Sequence, residues 1–348
     1  MPDGRVTLQD VADEAGLSKA AASYALRGLK GSSQTQELVR DIADRLGYTA
    51  NPAAQALAGG RSGTVGVCGA LHDLWHQELA VALAGRLRAA GFGSAIADTD
   101  ADPERERELV EGMVRAHVDG VVTLVTDPAA PWWGELPDSF TVVSVGDVLT
   151  ARPLASSVVF DNVHGVRTAM EHLVTRGHRR IGLVTTTLPS SPGRPGEQVA
   201  GQIARARGLD LSVVSVPPAT RAATRAVHTL LAGPRRPTAL FCLSDSIAFG
   251  AYRAATELGL QIPRDLSILG YDDHDLADLV VPPLSSFGWD EAAIAQAAID
   301  LLVGELSDGP DPEAAHQMVD AGDDGRRGVR VEFRPEFVAR SSTGPAPA

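Results

Sequence analysis

Metal binding is the first chemistry that local residue spacing suggests. Glu171, His172 and His178 fall within one short stretch, MEHLVTRGH, and imidazole and carboxylate groups are common zinc ligands. His172 is expected on a helix and His178 in the turn after it, so the two rings do not share the face that a metal ion requires. The spacing therefore predicts no metal site.

The spacings that signal nucleophilic or phosphate chemistry are missing from the sequence. There is no GxSxG turn for an activated serine, no GxxxxGK[ST] loop and no GxGxxG after a strand. The stretch HQELA lacks the second histidine of a zinc-protease helix. The sequence therefore predicts a protein that is not an enzyme and that needs no cofactor.

Contact with nucleic acid bases is the chemistry that the N-terminal residues favour. On an expected helix, Lys19, Ala20, Ser23, Tyr24 and Arg27 take one side. Lysine can donate to guanine acceptors and an alanine methyl can meet a thymine methyl. Serine and tyrosine hydroxyls reach either bases or phosphates. These residue types could therefore read DNA, provided that one helix holds them together.

Three short helices are predicted to position these residues. Thr7 is expected to cap the first helix, Gly16 to end it, and Ser18 to cap the second after a very short connection. A third helix is expected from near Ser33. So tight a bend carries the second helix across the first, as in a helix-turn-helix, whose second helix enters the major groove. On pattern alone, a small bundle that serves only protein interaction is the alternative.

Two longer sequence motifs cover the first predicted helix, with the turn after it, and the segment that follows the third helix. Residues 6–18 read VTLQDVADEAGLS and residues 46–60 read LGYTANPAAQALAGG. They are similar to the VTLxDVAxxAGxS and LGYxxNxxAxxLxxG patterns of the LacI/GalR family of transcriptional regulators. The second helix departs from that family, because residues 21–24 read AASY where Thr-Val-Ser-Arg is common. The expected DNA contacts of the three helices are Thr7, Ser18, Lys19, Ala20, Ser23, Tyr24 and Arg27.

The segment at residues 51–58 is expected to be a conditional helix. It is shorter than the roughly 12–15 residues that an isolated helix needs for marginal stability, and Gly59 and Gly60 end it. The resemblance implies that two copies pair on the operator and insert Leu57 into the minor groove, where an apolar wedge kinks the duplex. Asn51 and Ala54 are the further contacts expected here. The alternative is that Leu57 is an ordinary linker residue.

After residue 63, strand-like runs such as TVGVCGAL and LSILGYDD alternate with helical patterns. That alternation predicts parallel, doubly wound sheets, and the number of units requires two of them. The resemblance likewise implies a two-lobed, periplasmic-binding-protein-like core that dimerises. The expected boundaries are 1–50 for an all-α helix-turn-helix headpiece, 51–63 for the hinge helix and linker, and 64–348 for the core. Lobe one is placed at about 64–158 and 288–315, and lobe two at about 161–286 and 328–340.

The resemblance accounts for His172 and His178 as framework residues. It also implies three chain crossings between the lobes. They are expected near 158–161, 286–288 and 315–328. The acidic, glycine-rich run at 307–325 is predicted to be a mobile insertion, and the final STGPAPA is predicted to be disordered.

Loops that follow strands are the candidates for a ligand-binding cleft between the lobes. The chosen residues are Asp73, Trp75, Arg194, Ser244 and Asp272. Trp75 could present an aromatic surface to a ligand, or it could pack at the rim. Matching family positions imply that Asp272 binds ligand hydroxyls, while Asp245 has a possible structural role.

The ligand itself is left open by several departures from the family. Ser244 stands where asparagine is common, and the stretch SSPGRPGEQVAG is rich in glycine and proline where relatives begin a helix. A sugar effector is implied by the family alone. A nucleoside, another small metabolite or no natural effector remain alternatives.

Composition bounds the remaining interpretation. The formal net charge is −13, and residues 1–60 hold six basic against seven acidic side chains, so the basic footprint is modest. Cys68 and Cys242 are far apart in apolar runs and are interpreted as buried thiols.

The N-terminal residues do not resemble a signal peptide, so a cytoplasmic location is expected. No C-terminal leucine heptads are visible, which favours a dimer over a tetramer.

Three classes of function compete for this sequence. A solute-binding protein would share the body, but a headpiece and no signal peptide argue against it. A sugar- or nucleoside-processing enzyme would require a catalytic constellation that is not found. We therefore predict a sequence-specific DNA-binding transcriptional regulator, with repression as its expected mode, that binds operator DNA as a dimer and responds to a small-molecule effector.

Overall fold

The computed structural model describes residues 6–26, 31–48, 61–188, 191–217, 220–307, 317–318 and 328–347. Its contacts divide the chain into two compact units, Met1–Ser62 and Gly63–Ala348. Arg27, Asn51, Ala54 and Leu57, and with them the expected hinge helix, lie outside the described residues.

The N-terminal unit is built from α1 (Leu8–Glu14), α2 (Lys19–Leu26) and α3 (Ser33–Leu46). Its core contains small and branched apolar side chains from all three helices: Val11, Ala12, Ala22, Ala25, Val39, Ile42 and Ala43. Alanine at both buried positions of α2 lets the helices approach closely, because a methyl group adds little width. The predicted three-helix arrangement is confirmed.

The second unit consists of two lobes, each with its own sheet. The strands are β1 (Thr64–Gly69), β2 (Gly93–Asp98), β3 (Gly120–Leu124), β4 (Thr141–Gly146), β5 (Ser156–Phe160), β6 (Arg180–Thr186), β7 (Asp210–Val216), β8 (Ala239–Cys242), β9 (Ser267–Leu269), β10 (Ser286–Gly288), β11 (Gln317–Met318), β12 (Val329–Phe333) and β13 (Glu336–Val338). The helices are α4 (Leu74–Ala89), α5 (Pro103–Arg115), α6 (Asn162–Thr175), α7 (Gly196–Arg207), α8 (Thr220–Ala232), α9 (Asp245–Glu257) and α10 (Glu291–Leu306), with 3-10 turns at Pro131–Glu135 and Asp275–Asp278.

Lobe one has seven strands in the order β11-β12-β5-β4-β3-β1-β2, and lobe two has four in the order β7-β6-β8-β9. All neighbouring pairs in these two sheets are parallel except β11 with β12. Apolar clusters cover both faces of each sheet, so each lobe is a helix–sheet–helix sandwich. The predicted fold class, a helical headpiece followed in the sequence by doubly wound parallel sheets, is confirmed.

Side-chain caps explain where several body helices begin. Asp73, Asp102, Asp161, Ser244 and Asp290 each accept a hydrogen bond from a backbone N–H in the first turn of the following helix. Such a cap satisfies donors that a helix otherwise leaves unpaired. A polar residue after a strand in this chain is therefore often the start of a helix.

The third chain crossing does not lie where the sequence placed it. We expected it at 315–328, with 328–340 in lobe two. Instead β12 pairs in parallel with β5 in the sheet of lobe one, and the chain passes to β13 at residues 334–335. The other passages lie between β5 and α6 and between β10 and α10. The short β13 pairs with β10 at the crossing itself, so these strands link the lobes rather than extend either main sheet.

The prediction that the final residues are disordered is wrong for 342–347. Ser342 is fully buried, Thr343 Oγ1 lies 2.9 Å from His172 Nε2, and Gly344 O lies 3.1 Å from His178 Nε2. The two histidines thus hold the C-terminal segment against lobe two, which confirms that they are framework residues. Small residues allow this segment to lie close to the sheet.

Both cysteines are buried and free, as expected. Burial raises the pKa of the Cys68 thiol to about 12, and it raises the pKa of Cys242 as well. Neither thiol is therefore a ready nucleophile at neutral pH. Among the described helices, none is both long and apolar enough to cross a membrane.

Candidate functional site

The start of α2 carries several of the exposed residues of the N-terminal unit. Ser18 Oγ accepts from the backbone N–H of Ala21 over 3.2 Å, which confirms the predicted cap. Lys19 and Ala20 are exposed, and Tyr24 is 40% exposed. Ser23 is half-buried. The predicted base-reading residues therefore lie mainly on the side of α2 that the helical core leaves open.

The first helix is held by a reciprocal cap. The Asp10 side chain accepts from the Thr7 backbone N–H at 2.7 Å and from the Thr7 hydroxyl at 2.8 Å. Thr7 Oγ1 in turn accepts from the Asp10 N–H at 3.4 Å, which completes a capping box. These hydrogen bonds lower the pKa of the Asp10 carboxyl. The predicted cap is confirmed, whereas contact of Thr7 with DNA stays a prediction.

A cavity of about 170 Å³ lies between the two lobes of the body. It is lined by residues at or just after the carboxyl ends of β3, β4, β5, β6, β8 and β9. Binding crevices of open parallel sheets form at this edge. The volume is small beside the roughly 300–1,000 Å³ of pockets that hold drug-sized ligands, so it suits a ligand of about one ring.

Aromatic side chains form much of the cavity wall. Trp75 and Phe160 contact each other edge to face with ring centroids 5.5 Å apart. Trp289 continues the row at 4.7 Å from Phe160 and 5.9 Å from Tyr271. Flat rings of this kind pack on the apolar face of a cyclic ligand while edge groups remain free for hydrogen bonds.

Asp272 brings a carboxylate to this aromatic wall. Its φ of +133° lies in a region that favours glycine, and Asp273 follows with a φ of +58°. The backbone is fixed in this conformation by the Asp272 N–H, which donates to Phe287 O over 2.8 Å. Strained backbone held by its surroundings is often found at functional sites. Burial, and next the nearby Asp73 and Asp245 charges, raise the pKa of the Asp272 carboxyl well above its usual value.

Arg194 connects the two lobes across the opposite side of the cavity. Its guanidinium donates to Val125 O at 3.2 Å and to Thr126 O at 2.7 Å, just after β3 of lobe one. Burial lowers its pKa, and the carboxylates of Asp147, Glu106 and Asp127 oppose that shift. Arginine stays charged in proteins, so this side of the cavity keeps a positive group surrounded by acids.

A second link between the lobes passes through the loop before α7. The Gly193 N–H donates to Asp147 Oδ2 over 2.8 Å, and Asn162 Nδ2 donates to Gly193 O over 2.7 Å. Asn162 also accepts from the Tyr271 hydroxyl at 2.7 Å. These bonds fix the loop, the aromatic wall and lobe one in one network around the cavity.

Three of the five predicted effector residues line the cavity, namely Trp75, Arg194 and Asp272. The other two do not. Asp73 caps α4 by accepting from the backbone N–H groups of Trp75 and His76. Ser244 caps α9 and accepts from Ile247 N–H over 3.3 Å.

Asp245 is also a structural residue in this geometry. It accepts from Ser286 Oγ at 2.7 Å and from His274 N–H at 2.9 Å, and burial raises its pKa to about 6. The structural role that was left open for it at the sequence level is therefore supported by its contacts.

Several lining residues were not singled out from the sequence, and they are Asp147, Phe160, Asn162, Tyr271 and Trp289. All of them lie at or next to the end of a strand, and that position was the available signal. Their convergence depends on contacts such as Tyr271 with Asn162, which are 109 positions apart, and local spacing contains no trace of it.

Comparison with known proteins agrees with this architecture. A family model described as a periplasmic binding protein-like domain matches residues 170–343, half of the chain. The ribose operon repressor of Haemophilus influenzae is 28% identical over 305 residues, which cover 86% of this chain and 92% of that protein. The HTH-type transcriptional repressor PurR of the same species is 25% identical over 343 residues, covering 97% and 98%.

Among solved structures, a lac repressor dimer bound to operator and the anti-inducer ONPF matches with a TM-score of 0.77. The identity is 23%, and the match covers 98% of this chain and 99% of that chain. A helix-turn-helix unit joined to a two-lobed body with an interlobe cavity defines a DNA-binding regulator of the periplasmic-binding-protein-like class. The chain belongs to the LacI/GalR family of transcriptional regulators.

Proposed function

We propose that this protein is a transcriptional repressor that binds a near-palindromic operator as a dimer, with its operator affinity set by a small molecule in the interlobe cavity. The observation that carries the proposal is the presence, in one chain, of a helix-turn-helix with an exposed α2 and of a two-lobed body with a buried cavity. Relatives that match along most of the chain are named as repressors. The proposed location is the cytoplasm, where operator DNA is found.

DNA reading is assigned to the first turns of α2. Lys19 is the proposed donor to guanine, with Ala20, Ser23 and Tyr24 beside it. Thr7 and Ser18, at the starts of their helices, are the proposed phosphate contacts. Arg27, Asn51, Ala54 and Leu57 complete the proposed interface from the sequence.

Effector control is assigned to closure of the two lobes. The Arg194 and Gly193 contacts hold one lobe against the other around the cavity. A ligand that binds one lobe arrangement better than another shifts the population toward it. Operator binding must then alter effector affinity by the same factor, because the coupling is reciprocal.

Selection from a pool of random DNA sequences by the full-length chain tests this function. We expect enrichment of inverted repeats whose half-sites are about one helical turn apart. Recovery of unrelated sequences, bound no better than bulk DNA, would reject sequence-specific repression. Any enriched site then serves as the operator for affinity measurements.

The role of Lys19 can be separated from that of a general phosphate contact. Lys19→Ala is expected to relax base preference at one position of the enriched site. A loss that is uniform over all sequences would instead identify Lys19 as a phosphate contact. Arg40→Ala, at an exposed position of α3, removes the same charge and is the matched control.

A further inference from the structure

Acidic groups outnumber basic ones around the interlobe cavity. Asp147 and Asp272 line it together with Arg194, the one guanidinium among its described lining residues. Asp127 adds negative charge on the Arg194 side, while burial raises the pKa of the neighbouring Glu106 carboxyl to about 7. Burial lowers the pKa of His76, so that ring contributes no positive charge at neutral pH. A cationic ligand would therefore be attracted, and an anionic ligand opposed.

Asp272 differs from its acidic neighbours in how few partners it has. Asp73 accepts from two backbone N–H groups and Asp245 from Ser286 and His274, while Asp273 pairs with Arg340. Asp272 accepts from the Asp245 N–H alone, over a long 3.3 Å. Within the described residues no basic side chain forms an ion pair with it. Burial raises the pKa of the Asp272 carboxyl, and a cationic group that arrives beside it would favour its charged form.

Two ring N–H groups at the same wall can donate to a ligand. Trp75 is 8% exposed, and its Nε1 is buried without a hydrogen-bond partner among the described residues. His76 Nδ1 accepts from the Ala70 N–H over 3.2 Å, which places the ring proton on Nε2. Buried polar groups in folded proteins are normally paired. An orphaned indole N–H at a cavity therefore calls for an acceptor atom supplied from outside the chain.

We infer that the cavity takes a small, one-ring polyol with a protonated amine, an amino sugar or aminocyclitol, whose ammonium pairs with Asp272 and whose oxygen accepts from Trp75 Nε1. This assignment rests on the proposed function, because it names the effector class of the same site. The ammonium supplies the charge and the donors that Asp272 lacks. The aromatic wall of Trp75, Phe160 and Trp289 receives the ring and adds cation–π attraction.

A neutral sugar would satisfy this arrangement less well. A hydroxyl can donate one hydrogen bond to Asp272, but it brings no positive charge to offset the burial that raises the pKa of this carboxyl. Hydrogen bonds to charged groups are worth about 1.5–3 kcal/mol, which is on the order of tenfold to a hundredfold in affinity. A phosphorylated sugar would in addition place its phosphate near the Asp147 and Asp272 carboxyl groups, where a second negative charge is unfavourable.

Isothermal titration and thermal shift of the full-length chain test the assignment. The probes are D-glucosamine, D-galactosamine and D-mannosamine, each beside its parent hexose, its N-acetyl derivative and its 6-phosphate. Measurements at about pH 6.5 keep the amine protonated, below the usual pKa range of an amino group. We expect at least one hexosamine to bind about tenfold or more tightly than its uncharged partners. The 6-phosphates should bind weakest.

Two variants and one control variant locate the effect. Asp272→Asn keeps the shape and should abolish the preference for the amine, while Asp138→Asn removes an equal charge at an exposed turn of lobe one and should retain it. Trp75→Phe should weaken the hexosamine and its N-acetyl derivative alike, since it removes the donor but keeps an aromatic face. If no hexosamine binds, or if the parent hexoses bind as tightly, the inference is overturned. A preference that survives Asp272→Asn overturns it too.

Operator affinity measured for the same proteins without ligand keeps the two proposals apart. Sequence-specific operator binding with no amine preference rejects the effector class alone. If the unmodified chain recognises no operator, the proposed function is rejected, whatever the cavity binds.

Discussion

The Gly193 N–H donates to Asp147 Oδ2 over 2.8 Å, and this bond joins the loop before α7 in lobe two to the end of β4 in lobe one. The approach is close because Gly193 has no side chain. A Cβ atom added there would overlap the Gly146 carbonyl oxygen and lie 3.0 Å from the Asp147 carboxyl group. The lobes can therefore meet in this way only with glycine at position 193.

Gly193→Ala is expected to uncouple operator binding from the effector. The added methyl group has backbone on its far side, so the lobes must separate at this point. We predict that operator affinity becomes insensitive to any ligand that shifts it in the unmodified protein, and that ligand affinity falls by about tenfold. Fluorescence anisotropy on the selected operator, with and without ligand, measures both effects.

Gly201→Ala is the matched control for this substitution. It lies on α7 in the same lobe, and its added Cβ would meet only the end of the Arg205 side chain at 3.6 Å. Alanine in a helix interior is expected to add about 0.5–1 kcal/mol of stability and to leave coupling intact. Normal effector response in Gly193→Ala would contradict a role for this contact in lobe closure.

The helical and sheet elements could be predicted because their signals are local. Thr7 with Asp10, and Ser18 before a helical pattern, are caps that sequence spacing alone reveals. Alternating strand and helix patterns likewise require parallel sheets. Reliance on local signals also explains why two of the predicted effector-binding residues do not line the cavity. Asp73 and Ser244 follow strands, as ligand residues do, but their side chains cap the next helix.

Features that depend on distant pairing could not be predicted from local patterns. Val329–Phe333 alternates apolar and charged residues, a pattern that fits a strand of either lobe, and its pairing with β5 decides the choice. The C-terminal STGPAP reads as disordered by composition, yet Ser342 and Gly344 fill positions against β9 of lobe two. The cavity wall was likewise hidden, because Asn162 and Tyr271 meet only in the folded body.

Ser342→Ala is expected to destabilise lobe two. Ser342 Oγ donates to Ile268 O over 2.6 Å and accepts from Ser285 N–H over 2.8 Å in a fully buried position. Removal of the hydroxyl leaves the Ser285 N–H unpaired, at a cost of about 1–3 kcal/mol. Urea unfolding followed by circular dichroism measures the change. Ser341→Ala, one residue earlier and exposed, should change stability by less than about 0.5 kcal/mol. An effect of Ser342→Ala that is equally small would show that the buried hydroxyl does not stabilise the lobe.

Acid is expected to destabilise the protein through His172. Burial, followed by the Arg176 and His178 charges, lowers the pKa of His172 from 6.5 to about 4. The folded state therefore binds fewer protons than the unfolded state between these values, and stability falls as pH drops through that window. Above pH 6.5 the contribution is constant, because the ring is neutral in both states.

His172→Gln should flatten this part of the stability curve. The difference between the variant and the unmodified protein is expected to shift by on the order of 1 kcal/mol between pH 7 and pH 4, after allowance for solvent screening around a half-buried ring. Denaturation midpoints at a series of pH values report it. His164→Gln, at an exposed position of α6, is the control; if its curve flattens equally, His172 is not the group responsible.

Leu57→Ala tests the segment that the family resemblance implies but that lies outside the described residues. An apolar wedge in the minor groove gains affinity by kinking a particular base step, whereas bulk DNA is bound through phosphate charge. We therefore predict that Leu57→Ala weakens operator binding by about tenfold to a hundredfold, while binding to unrelated DNA changes by less than about twofold.

Leu57→Met keeps an apolar side chain of similar length, and it should retain most of the operator affinity. Anisotropy titrations on both DNAs at one fixed salt concentration give the comparison. Equal losses on operator and unrelated DNA would leave Leu57 as a linker residue, and specificity would then rest on α2 alone.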